Sequence, residues 1–163
     1  LIKISSQNRL IINFSAAIGR SCKIRLDKKS KLILEERVYI CDFVELRTSK
    51  KAKIEVGAST TIGSYSRIIS KNYIKIGKNC AIASFVTIID HDHIRDINTN
   101  ILSGYIDDPI LIGDNVWIGE KVTLLKGIKI GNNATIGAGA VVTKNVLANQ
   151  TVVGVPAHVI NAN

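Results

Sequence analysis

The densest chemistry in the chain lies in DHDHIRD, residues 90–96, which holds two of the three histidines and three of the thirteen acidic side chains. A neutral imidazole, with a reference pKa of about 6.5, can take a proton from a hydroxyl and later return it to a leaving group. His93 and His91 are therefore candidates for a general base. Two positions apart on extended chain they project from one face; in a bend they do not. Asp90 or Asp92 could orient a ring, although each reads first as a solvated loop carboxylate. Asp107 and Asp108, beside Pro109, read as a turn rather than a metal-binding pair. Cys22, Cys41 and Cys80 are odd in number and form no CxxC, which argues against a disulfide framework or a zinc ribbon and for a reducing cytosol.

Composition narrows what must position these groups. The 163 residues suit one domain, and a content of 46% hydrophobic but 5% aromatic residues makes the core one of Ile, Val, Leu and Ala. No apolar run approaches the roughly 20 residues that span a bilayer. No basic segment followed by an apolar one opens the chain, so no signal peptide is expected. The lack of any methionine suggests a trimmed or processed form. The formal charge is +9, with Lys28, Lys29, Lys31, Lys50, Lys51 and Lys53 clustered in the first third. A solvated face explains such a cluster, and an anionic ligand is the sharper reading. Nucleic acid has no support from a helix-turn-helix pattern, an RNP motif or an aromatic-interleaved basic stripe.

The organising period is six. From Ile112 the chain reads IGDNVW, IGEKVT, LLKGIK, IGNNAT, IGAGAV, VTKNVL, with an aliphatic residue always at place one and Val, Ile or Ala at place five. Equivalent hexads at Ile12, Leu34, Val56, Ile76, Ile112 and Ile130 are separated by 22, 22, 20, 36 and 18 residues. Three hexads thus make a coil, and one interval carries an extra 18. Extended pieces alternate their side chains, so places one and five can both point inward. Glycine at place two and asparagine near place four (Asn79, Asn115, Asn133) would relieve corners that need tight or positive-φ backbone. Three flats and three corners close a triangle, and stacked coils share a core that no coil could bury alone. Cys22 and Cys80 fall at place five and read as wall-fillers; Cys41, at place two, faces outward.

PILIGDNVWIG, the GAG turn at 137–139, VVTK at 141–144 and GVPA at 154–157 resemble the hexapeptide-repeat acyltransferases, sugar O-acetyltransferase branch. The resemblance implies an all-β fold, a left-handed parallel β-helix of hexapeptide repeats forming a single domain over 1–163. One excursion loop is expected at about 90–109 and a C-terminal cap at about 145–163. It implies a homotrimer with acetyl-CoA between subunits, transfer to a hydroxyl of a sugar or polysaccharide, and no metal. His93 best matches the family's base at the foot of the loop, with His91 its competitor. Trp117, the only tryptophan, becomes either a packing element or a wall for the pantetheine arm or the acceptor sugar. Gly119, Gly137 and Ala138 become a track for coenzyme A as well as corner residues. Lys144 resembles the lysine that meets its phosphates, and Pro156 belongs to the closing motif. Two departures are Asn145, where an acidic residue often follows that lysine, and His158, where a lysine often stands; the second puts one phosphate contact in doubt.

Neighbouring readings are transfer to an amino sugar or to serine, a γ-carbonic-anhydrase-like zinc enzyme, and a non-catalytic β-solenoid. The zinc enzyme needs three converging histidines, and this chain has only His91, His93 and His158. A scaffold has no use for a histidine-bearing excursion. No cysteine is placed to carry an acyl group, so direct transfer is expected.

Overall fold

The aliphatic first places stack on one another, coil upon coil. In the computed structural model, which describes residues 9–49, 51–97 and 102–160, Ile12 pairs with Leu34, Leu34 with Val56, Val56 with Ile76, Ile76 with Ile112 and Ile112 with Ile130. Every one of these partnerships follows the sequence spacing, including the 36-residue interval. From Leu34 onward the ladder is buried, as are the place-five residues Val38, Val44, Cys80, Val86, Val116 and Val122. Each hexad on its own is too short to bury an apolar face; the interior forms only where coils stack.

Three parallel sheets make the three flats. The first face begins with Leu10–Ile12 and ends with Lys129–Ile130; the second begins with Ala17–Ile18; the third runs from Lys23–Leu26 to Val141–Val142. This is the left-handed parallel β-helix that the resemblance implied. On the second face, parallel stacking continues through Thr151–Val153 and then reverses, because His158–Ile160 returns antiparallel to it. Much of the stretch expected as a cap therefore still belongs to the coil. Among the described residues no helix is long and apolar enough to cross a membrane.

Corners obey a stricter rule than the sequence suggested. At most corners that follow the first and second faces the fourth place of the hexad has positive φ, and Asn79, Asn115 and Asn133 take it at 55°, 56° and 59°. Phe43, Tyr65 and Phe85 take it too, each at 61°, which is uncommon for bulky side chains. They stack on one another with centroids 4.9 and 5.1 Å apart, at the coil rise, and the ring contacts offset the backbone strain. Place-two glycines serve another purpose. Gly77 lacks positive φ, but a Cβ there would lie 2.3 Å from the carbonyl oxygen of Gly113 in the next coil. Glycine is needed there for close approach between coils, not for an unusual dihedral.

The 18-residue interval departs from expectation by having structure of its own. It is an antiparallel ribbon of His91–Arg95 and Leu102–Asp107, with an irregularity between Ile94 and Arg95. Residues 98–101, within the expected loop, and Lys50 lie outside the described residues.

Candidate active site

The ribbon springs from the corner between the third and first faces, and its foot is a satisfied polar cluster. Asp90 is fully buried. Its carboxylate accepts from the Ser70 hydroxyl at 2.6 Å, the Lys71 backbone N–H at 2.8 Å and the Asn72 backbone N–H at 2.9 Å. A buried carboxylate with no such donors would be costly, and these donors come from the coil beneath. Asn72 also donates its side-chain amide to Asp107 at 2.8 Å, and the Asp108 N–H reaches the Asp90 carbonyl at 2.9 Å. Both feet of the ribbon are thereby tied to one coil.

Asp90 is therefore no solvated loop carboxylate. Its Oδ1 lies 3.1 Å from Nδ1 of His91, whose residue exposure is 8%. A carboxylate only accepts, so Nδ1 carries the proton and Nε2 is left as the basic nitrogen. His93 sits on the same ribbon edge with its ring 6.0 Å from that of His91, edge to face. It is exposed, and its ring makes no hydrogen bond among the described residues. Tyr105, the register partner of His93, closes the other side with its ring 6.2 Å from His91. Asp92 is exposed and pairs with Lys126 at 2.5 Å, away from either imidazole's hydrogen bonds. Sequence reasoning missed Ser70, Lys71, Asn72 and Tyr105. The 20-residue coil interval, which sets Ser70 beneath Asp90, was the available signal for the first three.

A second assembly lies elsewhere on the coil. Trp117, 59% exposed, stands between Ala81 and Thr135 on the outer side of the second face. With Gly119, Gly137 and Ala138 it lines a groove of about 360 Å³, completed by Ala83, Glu120, Thr135 and Ile136. The lining is small and mostly apolar, and the coil contact explains its glycine: a Cβ on Gly119 would meet the Ala138 nitrogen at 2.6 Å. Lys144 and Pro156 are exposed near the C-terminal end and do not line this groove. The turn that carries Pro156 is held to the third face by Val141 N–H to Gly154 O at 3.0 Å and Ala157 N–H to Val141 O at 2.8 Å.

Within one chain the groove and His91 stay apart. The groove ends at the corner between second and third faces; His91 occupies the next corner, one flat away. A hexad of extended chain spans roughly 20 Å at most. His158 lies on the second face, apart from the other two histidines. Among the described residues no group of three or more His, Cys, Asp or Glu side chains is gathered to hold a metal ion. The thiols of Cys22, Cys41 and Cys80 are free. Burial raises the pKa of Cys80, and burial, Asp42 and Cys22 raise that of Cys41.

Residues 109–144 match the family model for the bacterial transferase hexapeptide (six repeats). The acetyltransferase-like protein YJL218W of Saccharomyces cerevisiae is 30% identical over 145 residues, which cover 82% of this chain and 70% of that protein. The chain belongs to the hexapeptide-repeat transferase family. The galactoside O-acetyltransferase of Escherichia coli K12 is 35% identical over 111 residues, covering 67% of this chain and 54% of that protein. A solved galactoside acetyltransferase in complex with coenzyme A superposes with a TM-score of 0.57 at 26% identity, over 90% of this chain and 64% of that one. The chain spans about half the length of the curated relatives it matches at 35% identity.

Proposed function

We propose that this hexapeptide-repeat chain catalyses acetyl-CoA-dependent O-acetylation of a sugar or polysaccharide, with His91 as general base. The observation that carries the proposal is the His91–Asp90 pair at the ribbon's foot, in a family of transferases whose galactoside relative is named for sugar O-acetylation. The preference for His93 drawn from the sequence gives way here on physical grounds. An imidazole fixed by a buried carboxylate has a set tautomer and a set direction; an exposed ring without a hydrogen bond has neither. His93 and Tyr105 form the walls beside it.

In this reading Nε2 of His91 takes the proton of an acceptor hydroxyl as its oxygen forms a bond to the thioester carbonyl carbon. The carbon–sulfur bond breaks, and the imidazolium returns the proton to the departing thiolate. Asp90 keeps the ring in register while it carries charge. The raised pKa values of Cys41 and Cys80 support direct transfer over an acyl-cysteine, because the thiolate is the nucleophile.

The groove at Trp117, Gly119, Gly137 and Ala138 suits an extended pantetheine arm, since small side chains let it approach the backbone. Because that groove is one flat away from His91 in the same chain, a neighbouring copy must bring its groove to this histidine. A closed homotrimer does so three times with one interface. Lys144 and Pro156, both exposed near the C-terminal end, are assigned in this proposal to the phosphate-bearing part of the coenzyme.

A screen of glycan acceptors with acetyl-CoA, followed by thiol release, tests the proposal. Acceptor-dependent release that is lost in His91→Ala supports it. No release with any hydroxyl acceptor, together with release on an amino sugar, would replace O- by N-acetylation. Unchanged release in His91→Ala would remove the base.

A further inference from the structure

The lysines of the first third share one corner. DKKSK at 27–31, SKKAK at 49–53 and SKNYIK at 70–75 recur at the coil interval, so Lys29, Lys51 and Lys71 follow one another by 22 and 20 residues. In the structure Lys28, Lys29, Lys51 and Lys71 line one cavity of about 540 Å³ beneath the ribbon, together with Tyr105, Asp27 and Asp107. A neighbouring groove of about 670 Å³ on the third face shares Asp27 and Lys71 with it and adds Arg25 and Arg47, which are register partners. Six cations thus face two carboxylates. Asp27 accepts the backbone N–H of Lys28 at 2.6 Å, and Asp107 accepts the Asn72 amide at 2.8 Å. Among the described residues the ammonium groups of Lys28, Lys29 and Lys51 enter no ion pair.

A merely solvated face would mix signs, and the corner between first and second faces does so. Its cavity is lined by Glu35, Glu36, Arg37 and Lys78, with Arg37 paired to Glu36 at 3.0 Å. Stacked like charges that outnumber their counter-charges cost stability and attract an anion. This stripe also leads to the base. The Lys71 backbone N–H holds Asp90, while its ammonium lies 3.7 Å from the centroid of the Tyr105 ring, which flanks His91.

We propose that this corner stripe binds an acidic glycan, a chain whose repeated carboxylates track the lysines while one hydroxyl reaches His91. The proposal rests on the transferase reading and assigns its acceptor class. Three coils rise about 10 Å between first and last, longer than one pyrophosphate and suited to spaced charges on a polymer. Single-stranded nucleic acid is bound on open aromatic faces, and the Tyr105 ring is covered by Lys71.

Titration without acetyl-CoA tests the stripe independently of catalysis. The probes are an oligogalacturonate, a maltooligosaccharide of equal length, a nucleotide-diphosphate sugar and a single-stranded oligonucleotide of matched charge. The full chain is expected to bind the oligogalacturonate at least tenfold more tightly than the neutral chain at low salt, and to lose that advantage at high salt. Lys28→Gln/Lys29→Gln/Lys51→Gln should weaken the acidic probe by about tenfold, at a few-fold per exposed charge, and leave the weak neutral binding in place. Equal binding of acidic and neutral probes, or an unaltered triple variant, overturns the proposal. Tighter binding of the nucleotide sugar or the oligonucleotide, lost in the same variant, also overturns it. Acidic-glycan binding without acetyl transfer would leave the stripe standing and sink the transferase reading instead.

Discussion

Asp90 and His91 are sequence neighbours whose side chains meet, Oδ1 to Nδ1 at 3.1 Å, with the carboxylate wholly enclosed by the coil. Adjacent residues on an extended strand normally point to opposite faces. Here Asp90 follows the third-face strand Thr87–Ile89 and His91 begins the ribbon, and the change from coil to ribbon lets the two side chains meet. The Asp90 carboxylate is thereby shared between holding three donors of the coil below and fixing one imidazole.

Asp90→Asn should cost both stability and rate. The amide presents a donor where three donors already converge, so unfolding free energy should fall by about 2–4 kcal/mol. The rate consequence is separable: at temperatures where the variant remains folded, kcat should fall roughly tenfold or more while KM for acetyl-CoA holds. A drop in melting temperature with unchanged kcat would make Asp90 structural only.

Two glycines near the groove should respond oppositely to the expectation that corners need φ. Gly119→Ala pushes a methyl into the backbone of Ala138 and should destabilise by about 2 kcal/mol. Gly139→Ala has positive φ but open space around it, and should lose only about 1 kcal/mol. Chemical denaturation of the two variants ranks the costs; the reverse order would contradict the close-approach account.

Cys41→Ser should retain kcat within about twofold. Burial, Asp42 and Cys22 push the Cys41 thiol up, which leaves little thiolate at neutral pH. Labelling with iodoacetamide should be slow and should speed up only in alkali. Rapid labelling at neutral pH with loss of transfer would revive an acyl-cysteine route.

Acid should weaken the first face through Glu55. Burial raises its pKa, but Lys53 and the Tyr73 hydroxyl, both bonded to its carboxylate, outweigh that and hold it below its ordinary 4.5. A lowered folded-state pKa means stability that is present above the unfolded value and lost as pH falls through the folded one. Thermal stability should therefore decline more steeply below about pH 4.5 in the native chain than in Glu55→Gln.

Much of this fold is legible in the sequence because its core repeats. Ile76 and Ile112 could be aligned across 36 residues since each begins a hexad of one pattern, and the structure pairs them. What escaped is what depends on the neighbouring coil. Nothing local to Asp90 shows that Ser70, Lys71 and Asn72 supply its donors, so its sequence context reads as a solvated loop carboxylate. Phe43, Tyr65 and Phe85 occupy a corner place that the coil holds at positive φ for Ser21 and Lys121 as well, and their stacking across coils is invisible to propensity at any one of them. The same holds for glycine at place two, where the next coil's backbone, not its own φ, excludes a side chain.

The most direct test compares His91→Ala with His93→Ala in acetyl transfer to one glycan acceptor, with circular dichroism confirming that each variant is folded. The account predicts a loss in kcat of about 10²–10⁴-fold for His91→Ala, the range of general-base catalysis, and under tenfold for His93→Ala. The opposite ranking, or two equal small losses, would contradict it.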